Sequence, residues 1–325
     1  MNDRSAQILE QYDLSNARIR KGRGAILAET EEGTFRLQEC HSGVGRLLYE
    51  EELMNYIRDK GNILVNSIVR NRENALFSAD QAGNKYVLTR HYEGNECDVR
   101  NKNDIYEAVK VLARLHNITA HVELKNVEYV PVLTSSREEI AKHNAELKRI
   151  RLFIRDKTRK SEFEYDVLAH FDEFFEQAKQ AEQDLKNSCY DKLNEEAVQN
   201  YSVCHGNYNY HNIIHVDGEL AVINFEHSGR GLLIRDLYFF MRKVMEKHDW
   251  NKVFGVNLLE SYDKIRTISK EERKILQILF TYPEKYWKIL NHYYNGNKAY
   301  LPDQMKDKMK KVYQQQKNKN SFLYF

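Results

Sequence analysis

Apolar and polar positions along the first hundred residues alternate between two periods. Ser5 to Tyr12 is a short amphipathic segment, and Arg18 to Gln38 holds two strand-like runs, Gly24–Thr30 and Thr34–Glu39, joined by Glu-Glu-Gly. A glycine there supplies the positive φ that a tight hairpin turn needs. From Arg46 to Lys60 the period becomes helical: Leu47, Glu50, Met54 and Ile57 share one face, and Gly61 is the stop signal. Strands are predicted at Leu64–Arg70, Ala75–Ser78 and Tyr86–Arg90. Asp104 to Asn117 is a helix with Ile105, Val109, Leu112 and Leu115 on one face. Ser135 to Asn187 reads as one long, highly charged helical region. Its stripe of Leu168, Phe171, Phe175, Ala178 and Leu185 is core packing. A second mixed segment, Tyr201 to Phe225, precedes helices that run to the end. No internal repeat stands out.

This order predicts a small mixed lobe over residues 1–92, a connector near Tyr92–Asp98, and a larger, mainly helical lobe over 93–325. A chain of 325 residues with 42% hydrophobic content can bury cores of that size, and its three prolines suit a helix-rich chain. The basic and acidic residues nearly balance, giving +2, so charge supplies no argument for a nucleic-acid partner. No apolar run reaches the roughly 18 residues of a membrane span, and Met1 to Leu9 lacks the apolar core of a secretory signal. Cys40, Cys97, Cys189 and Cys204 are scattered without a Cys-x-x-Cys pair. They read as ordinary thiols of a reducing compartment rather than as a metal or disulfide framework. The basic tail from Lys306 to Lys319 reads as a solvated helix face, and the closing Phe322-Leu323-Tyr324-Phe325 is expected to dock on the large lobe.

The chemistry concentrates in two blocks: His205-Gly206-Asn207-Tyr208-Asn209-Tyr210-His211-Asn212, and Asn224-Phe225-Glu226 after the apolar strand Leu220 to Ile223. Their frame resembles phosphotransferases of the aminoglycoside and choline kinase type. There the first block reads His-Gly-Asp with an Asn five positions after the Asp, and the second reads Asp-Phe or a near relative. The first Asp accepts the proton of the attacking hydroxyl, and the Asn and second Asp hold magnesium against the nucleotide phosphates. Here Asn207 stands at the base position, and a carboxamide accepts no proton near neutral pH. Asn212 and Asn224 stand at the metal positions, should magnesium bind at all, and Asn224 lacks the charge that a hard divalent cation favours. In the small lobe, Gly22 and Gly24 occupy the place of the phosphate-covering turn. Gln38 stands where the phosphate-binding lysine is expected, with Arg36 the runner-up on the same strand face. Glu50 stands where that lysine's ionic partner is expected. His205 by itself reads as a structural histidine, and Asp236 in Ile234-Arg235-Asp236-Leu237-Tyr238 as an anchor for the catalytic-loop backbone.

Further blocks carry a nearer resemblance. Lys21-Gly22-Arg23-Gly24-Ala25 through Glu29-Thr30, Tyr92-Glu93-Gly94-Asn95-Glu96-Cys97-Asp98, and Ala113-Arg114-Leu115-His116 resemble CotS-type spore coat proteins. So do Arg235-Asp236-Leu237-Tyr238-Phe239-Phe240-Met241-Arg242-Lys243 and Tyr282-Pro283-Glu284-Lys285-Tyr286-Trp287-Lys288. The resemblance runs from about Gln11 to Phe325. It implies an α+β, two-lobed, protein-kinase-like fold of the aminoglycoside phosphotransferase type. It also implies a protein made in the cytoplasm of the mother cell and deposited in the endospore coat, with other coat proteins as partners. Two functions stay open: a structural or recruiting coat component on a kinase scaffold without catalysis, or an active small-molecule or protein kinase. A nucleotide-binding sensor lies between them. No cofactor is expected, and any binding of magnesium–ATP is expected to be weak.

Overall fold

The computed structural model describes residues 3–22, 24–61, 63–295 and 302–325. Compactness divides the chain into two units, residues 1–132 with 200–230 and residues 133–199 with 231–325. This division differs from the expected break near residue 92. The connector, the following helix and the His205–Glu226 hairpin fall in the first unit together with the N-terminal sheet.

The first unit opens with helix α1 (Asp3–Glu10) and the antiparallel strands β1 (Arg18–Gly22), β2 (Ala25–Thr30) and β3 (Gly33–Cys40). Helix α2 (Val44–Lys60) follows, then the short strands β4 (Leu64–Val65), β5 (Ile68–Val69) and β6 (Ser78–Ala79), and then β7 (Lys85–His91) and β8 (Asn95–Glu96). Helix α3 (Lys102–Ile118) leads to residue 132. The segment 200–230 adds β9 (Val203–Cys204), β10 (Ile213–Val216), β11 (Glu219–Val222) and β12 (Gly229–Arg230). One sheet runs β1-β2-β3-β7-β5 with β6 on β7, a second runs β4-β11-β10-β8, and β12 pairs with β9. The single strand expected over Leu64–Arg70 is thus two pieces serving different sheets. The chain passes between them at Asn66-Ser67, where the Ser67 carbonyl accepts the Arg90 amide at 2.9 Å.

Strand alternation decides what each face of β3 does. Phe35 and Leu37 are buried with Ala28, Leu88 and the α1 residues Ile8 and Leu9, so one face is core. Arg36 and Gln38 lie on the other face. The β10–β11 hairpin closes through Asp217-Gly218, both at positive φ (48° and 86°), the two-residue turn that suits the twist of paired strands.

The second unit is helical: α4 (Ser136–Asp156), α5 (Glu162–Asn187), α6 (Tyr190–Gln199), α7 (Ile234–Met245), α8 (Lys252–Asp263), α9 (Lys270–Thr281), α10 (Glu284–Asn295) and α11 (Pro302–Phe322). The region expected to be one helix breaks at 157–161. Ser161 restarts the helix with a capping box, its hydroxyl accepting the Glu164 amide while the Glu164 carboxylate accepts the Ser161 amide. Ser135 with Glu138 and Ser269 with Glu272 do the same. The C-terminal aromatics dock as expected. Phe322 is fully buried against Phe280 and Trp250, and Phe325 lies 6.1 Å from Phe280. Tyr324 stays exposed.

Candidate functional site

The outward face of β3, helix α2 and the end of β11 enclose a cavity of about 420 Å³ within the first unit, lined by Arg36, Gln38, Glu50, Asn66, Asn224 and Glu226 among others. Asn224 follows β11 in the left-handed region, φ 67° and ψ 64°, a conformation that asparagine tolerates better than most residues. The loop that faces it turns at Gly206, also at positive φ (77°), where a Cβ would sit 1.9 Å from the His227 carbonyl oxygen. Buried His205 holds this loop to the strand. Its Nε2 donates to the Ile223 carbonyl at 3.0 Å and its Nδ1 accepts the Asn207 amide at 3.2 Å.

Asn207, Asn212 and Asn224 come together, joined by their own amides. Arg36 Nη1 donates to Asn224 Oδ1 at 2.8 Å. A guanidinium has only donors, so it fixes which end of the Asn224 amide is oxygen. Asn224 Nδ2 then donates to Asn212 Oδ1 at 2.7 Å, and Asn212 Nδ2 donates to the Asn207 carbonyl at 2.9 Å. Asn209 Nδ2 donates to the same carbonyl and to Asn207 Oδ1, at 2.8 and 3.1 Å. Every link is a donor meeting an acceptor, and the relay closes without an external ion.

Charge around the relay is paired locally. Glu50 meets Arg46 of its own helix at 2.9 Å, not a residue of β3. Burial pushes the Glu50 carboxyl up, and Arg46 pulls it back. Arg46 Nη2 also donates to the Glu226 carbonyl at 2.7 Å, tying α2 to the 3-10 turn Phe225–His227. Gln38 Nε2 reaches the Glu226 carboxylate only at 3.5 Å. Burial pushes the Arg36 guanidinium down, and the Glu226 carboxylate opposes that shift. At the connector, Thr34 Oγ1 donates to the Glu93 carboxylate. Gly94 lies so near β10 that a Cβ would sit 1.8 Å from the His215 carbonyl.

The glycine pair expected in the site lies elsewhere in the first unit. Gly22 and Gly24 flank the β1–β2 turn and line a separate cavity of about 680 Å³ that includes Leu37 and Tyr86. Asp236 is buried in the first turn of α7, in the second unit. Reasoning from the chain alone gave Arg46 no role in the site. Its i, i+4 spacing to Glu50 was the available signal.

The magnesium of active phosphotransferases is held by anionic oxygens, and the two expected metal positions here carry uncharged amides. Asn212 Oδ1 and Asn224 Oδ1 are already acceptors within the protein, and the donor on Asn224 is a cation.

Comparisons with known proteins agree with this frame. A family model described as "Spore coat putative kinase YutH" matches residues 5–325. Spore coat protein S of Bacillus subtilis (strain 168) is 24% identical over 163 residues, spanning 50% of this chain and 46% of that protein. Among solved structures, an aminoglycoside phosphotransferase from Alicyclobacillus acidocaldarius superposes with a TM-score of 0.85 at 16% identity, covering 98% of this chain and 93% of the other. The AMP-bound complex of a spectinomycin phosphotransferase gives 0.67 at 11% identity, covering 97% and 95%. The fold is that of the two-lobed, kinase-like aminoglycoside phosphotransferases. Among the described residues no helix is long and apolar enough to cross a membrane.

Proposed function

Because the chain belongs to the spore coat kinase-like family described above, we propose that it serves in the spore coat as a non-catalytic scaffold that binds other coat proteins. In this reading it is made in the mother cell and deposited on the forespore. The observation that carries it is the closed relay from Arg36 through Asn224 and Asn212 to Asn207. Phosphoryl transfer depends on positioning and on neutralising developing charge. A relay of amides ended by a guanidinium provides neither a proton acceptor nor a charged metal ligand. What the fold retains is its packed helical surface and the turns that hold the loop.

The test is complementation in a spore former lacking the gene. A variant with Asn212→Ala and Asn224→Ala together should restore coat protein incorporation to the wild-type level, with its abundance and melting temperature monitored. A folded, normally abundant double variant that leaves the coat as defective as the deletion would overturn the scaffold reading.

A second reading rests on the cavity itself, whose 420 Å³ could hold a nucleotide without metal as a sensor. Nucleotide binding by the purified protein, equal with and without magnesium, would favour it.

A further inference from the structure

Away from the relay, three side chains of different chemistry meet on the outer sheet of the first unit. Strands β8 and β10 pair antiparallel, with His215 opposite Asn95, and the Cys97 amide donates to the Ile213 carbonyl at 2.9 Å. Directly opposite residues share a face, as do residues two apart on one strand. This pairing therefore puts the Cys97 and His215 side chains on the same face as diagonal neighbours. Helix α3 begins just beyond Cys97, and Asp104 lies in its first turn. Asp104 Oδ2 lies 3.0 Å from His215 Nε2 and accepts the Asp98 amide at 3.0 Å. The Cys97 sulfur, the Asp104 carboxylate and the His215 ring each offer one ligand atom, all within 4.8 Å of one another.

We propose that Cys97, Asp104 and His215 form a binding site for a divalent zinc-like cation, with a fourth position left to solvent. Sulfur, imidazole nitrogen and carboxylate oxygen together form the donor set that zinc accepts, and three protein ligands plus a water complete a tetrahedron. Around a tetrahedral ion with metal–ligand distances of about 2.0 to 2.3 Å, neighbouring ligand atoms stand about 3.3 to 3.8 Å apart. His215 Nε2 and Asp104 Oδ2, 3.0 Å apart in a hydrogen bond, need separate by only about 0.3 Å to take an ion between them. Cys97 is buried while His215 is partly exposed, so the open position faces water. The site joins β8, β10 and the start of α3, and it is independent of the scaffold reading.

Cobalt(II) is the probe, titrated into the reduced full-length protein. A tetrahedral cobalt ion with one thiolate ligand gives intense visible bands and a thiolate-to-cobalt charge-transfer band in the near ultraviolet. Both should appear, and zinc should abolish them. Cys97→Ser should remove the charge-transfer band. His215→Gln, at a partly exposed position that tolerates change, should weaken cobalt binding by at least about 100-fold, with unchanged far-ultraviolet circular dichroism. No charge-transfer band in the wild-type protein, or one that persists undiminished in His215→Gln, overturns the proposal. A band that persists in Cys97→Ser would assign the binding to another cysteine and overturns the proposal as well.

Discussion

Asn224→Asp places a carboxylate at the position where the sequence motif leads one to expect a magnesium ligand, and the surrounding geometry argues that it creates no metal site. The new carboxylate would lie against Arg36, whose Nη1 stands 2.8 Å from the present Oδ1. The existing bond to the guanidinium already contributes about 1.5–3 kcal/mol, and the added charge strengthens it by about 1–3 kcal/mol, the Coulomb attraction of such a pair at about 4 Å being at most about 4 kcal/mol near a protein surface. Against that, the oxygen replacing Nδ2 would face Asn212 Oδ1 at 2.7 Å, and losing that donor costs about 1–3 kcal/mol. The two effects nearly cancel. For 325 residues, at about 2.1 cal/mol/K per residue, the unfolding entropy is about 0.7 kcal/mol/K. A net change of about 1 kcal/mol therefore moves the melting temperature by less than about 2 °C. A genuine magnesium–ATP site at about 100 times its dissociation constant would add about 2.7 kcal/mol, or about 4 °C. Thermal melts of the wild type and Asn224→Asp, with ATP and with or without magnesium, should differ by under about 1 °C in each pair. Asn224→Asp combined with Arg36→Gln frees the carboxylate, and only there should magnesium raise the melting temperature. A rise of about 4 °C or more in the wild type would refute the argument, because Arg36 would then not be excluding the ion.

Three further outcomes are expected. Gly206→Ala should destabilise by at least about 2 kcal/mol, because φ is 77° and the added Cβ meets the His227 carbonyl oxygen at 1.9 Å; an unchanged urea midpoint would contradict this. Removing Phe322 to Phe325 takes a fully buried ring and its partner from Phe280 and Trp250 and should cost about 3–5 kcal/mol, so an unaltered melting temperature would reject docking of the tail. Burial pulls the Lys319 ammonium, which donates to the Thr281 and Tyr282 carbonyls, down to about 7. Between that value and the ordinary 10.5 the unfolded chain holds the extra proton, so stability should rise with pH, by up to about 1 kcal/mol per unit. Lys319→Met should remove that rise from stability curves measured between pH 7 and 9, and identical slopes in variant and wild type would sink the assignment.

Local signals carried most of the fold. The helical stripe of α2, the Asp217-Gly218 turn and the alternation in β2 and β3 are set by near neighbours, and they stand within a few residues of where the pattern placed them. The break between α4 and α5 was legible too, since Ser161-x-x-Glu164 is a capping box, but it sits inside an unbroken run of helix-favouring residues. The split of Leu64–Arg70 between two sheets was not legible. Either half satisfies a strand pattern, and partner choice depends on residues far along the chain. Likewise, the spacing of the cysteines speaks only to ligands close in sequence. Cys97 and Asp104 meet His215 through a strand pairing across more than a hundred residues.

The site shows the same limit more sharply. Alternation puts Arg36 and Gln38 on one face of β3, and nothing local chooses between them. The choice is made by where the end of β11 lies against β3, and there Arg36 bonds Asn224 while Gln38 only approaches Glu226. This changes how the missing carboxylates are to be understood. Taken singly, Asn207 and Asn224 are positions where an acid is absent. Taken with Arg36, they belong to one network in which each amide orientation is dictated by its neighbour. An Asp at 224 would pair with Arg36 but set an oxygen against Asn212, whereas an Asn there satisfies both. A fully paired polar network rigidifies the elements it links. Here it ties β3, the end of β11 and the His205 loop together.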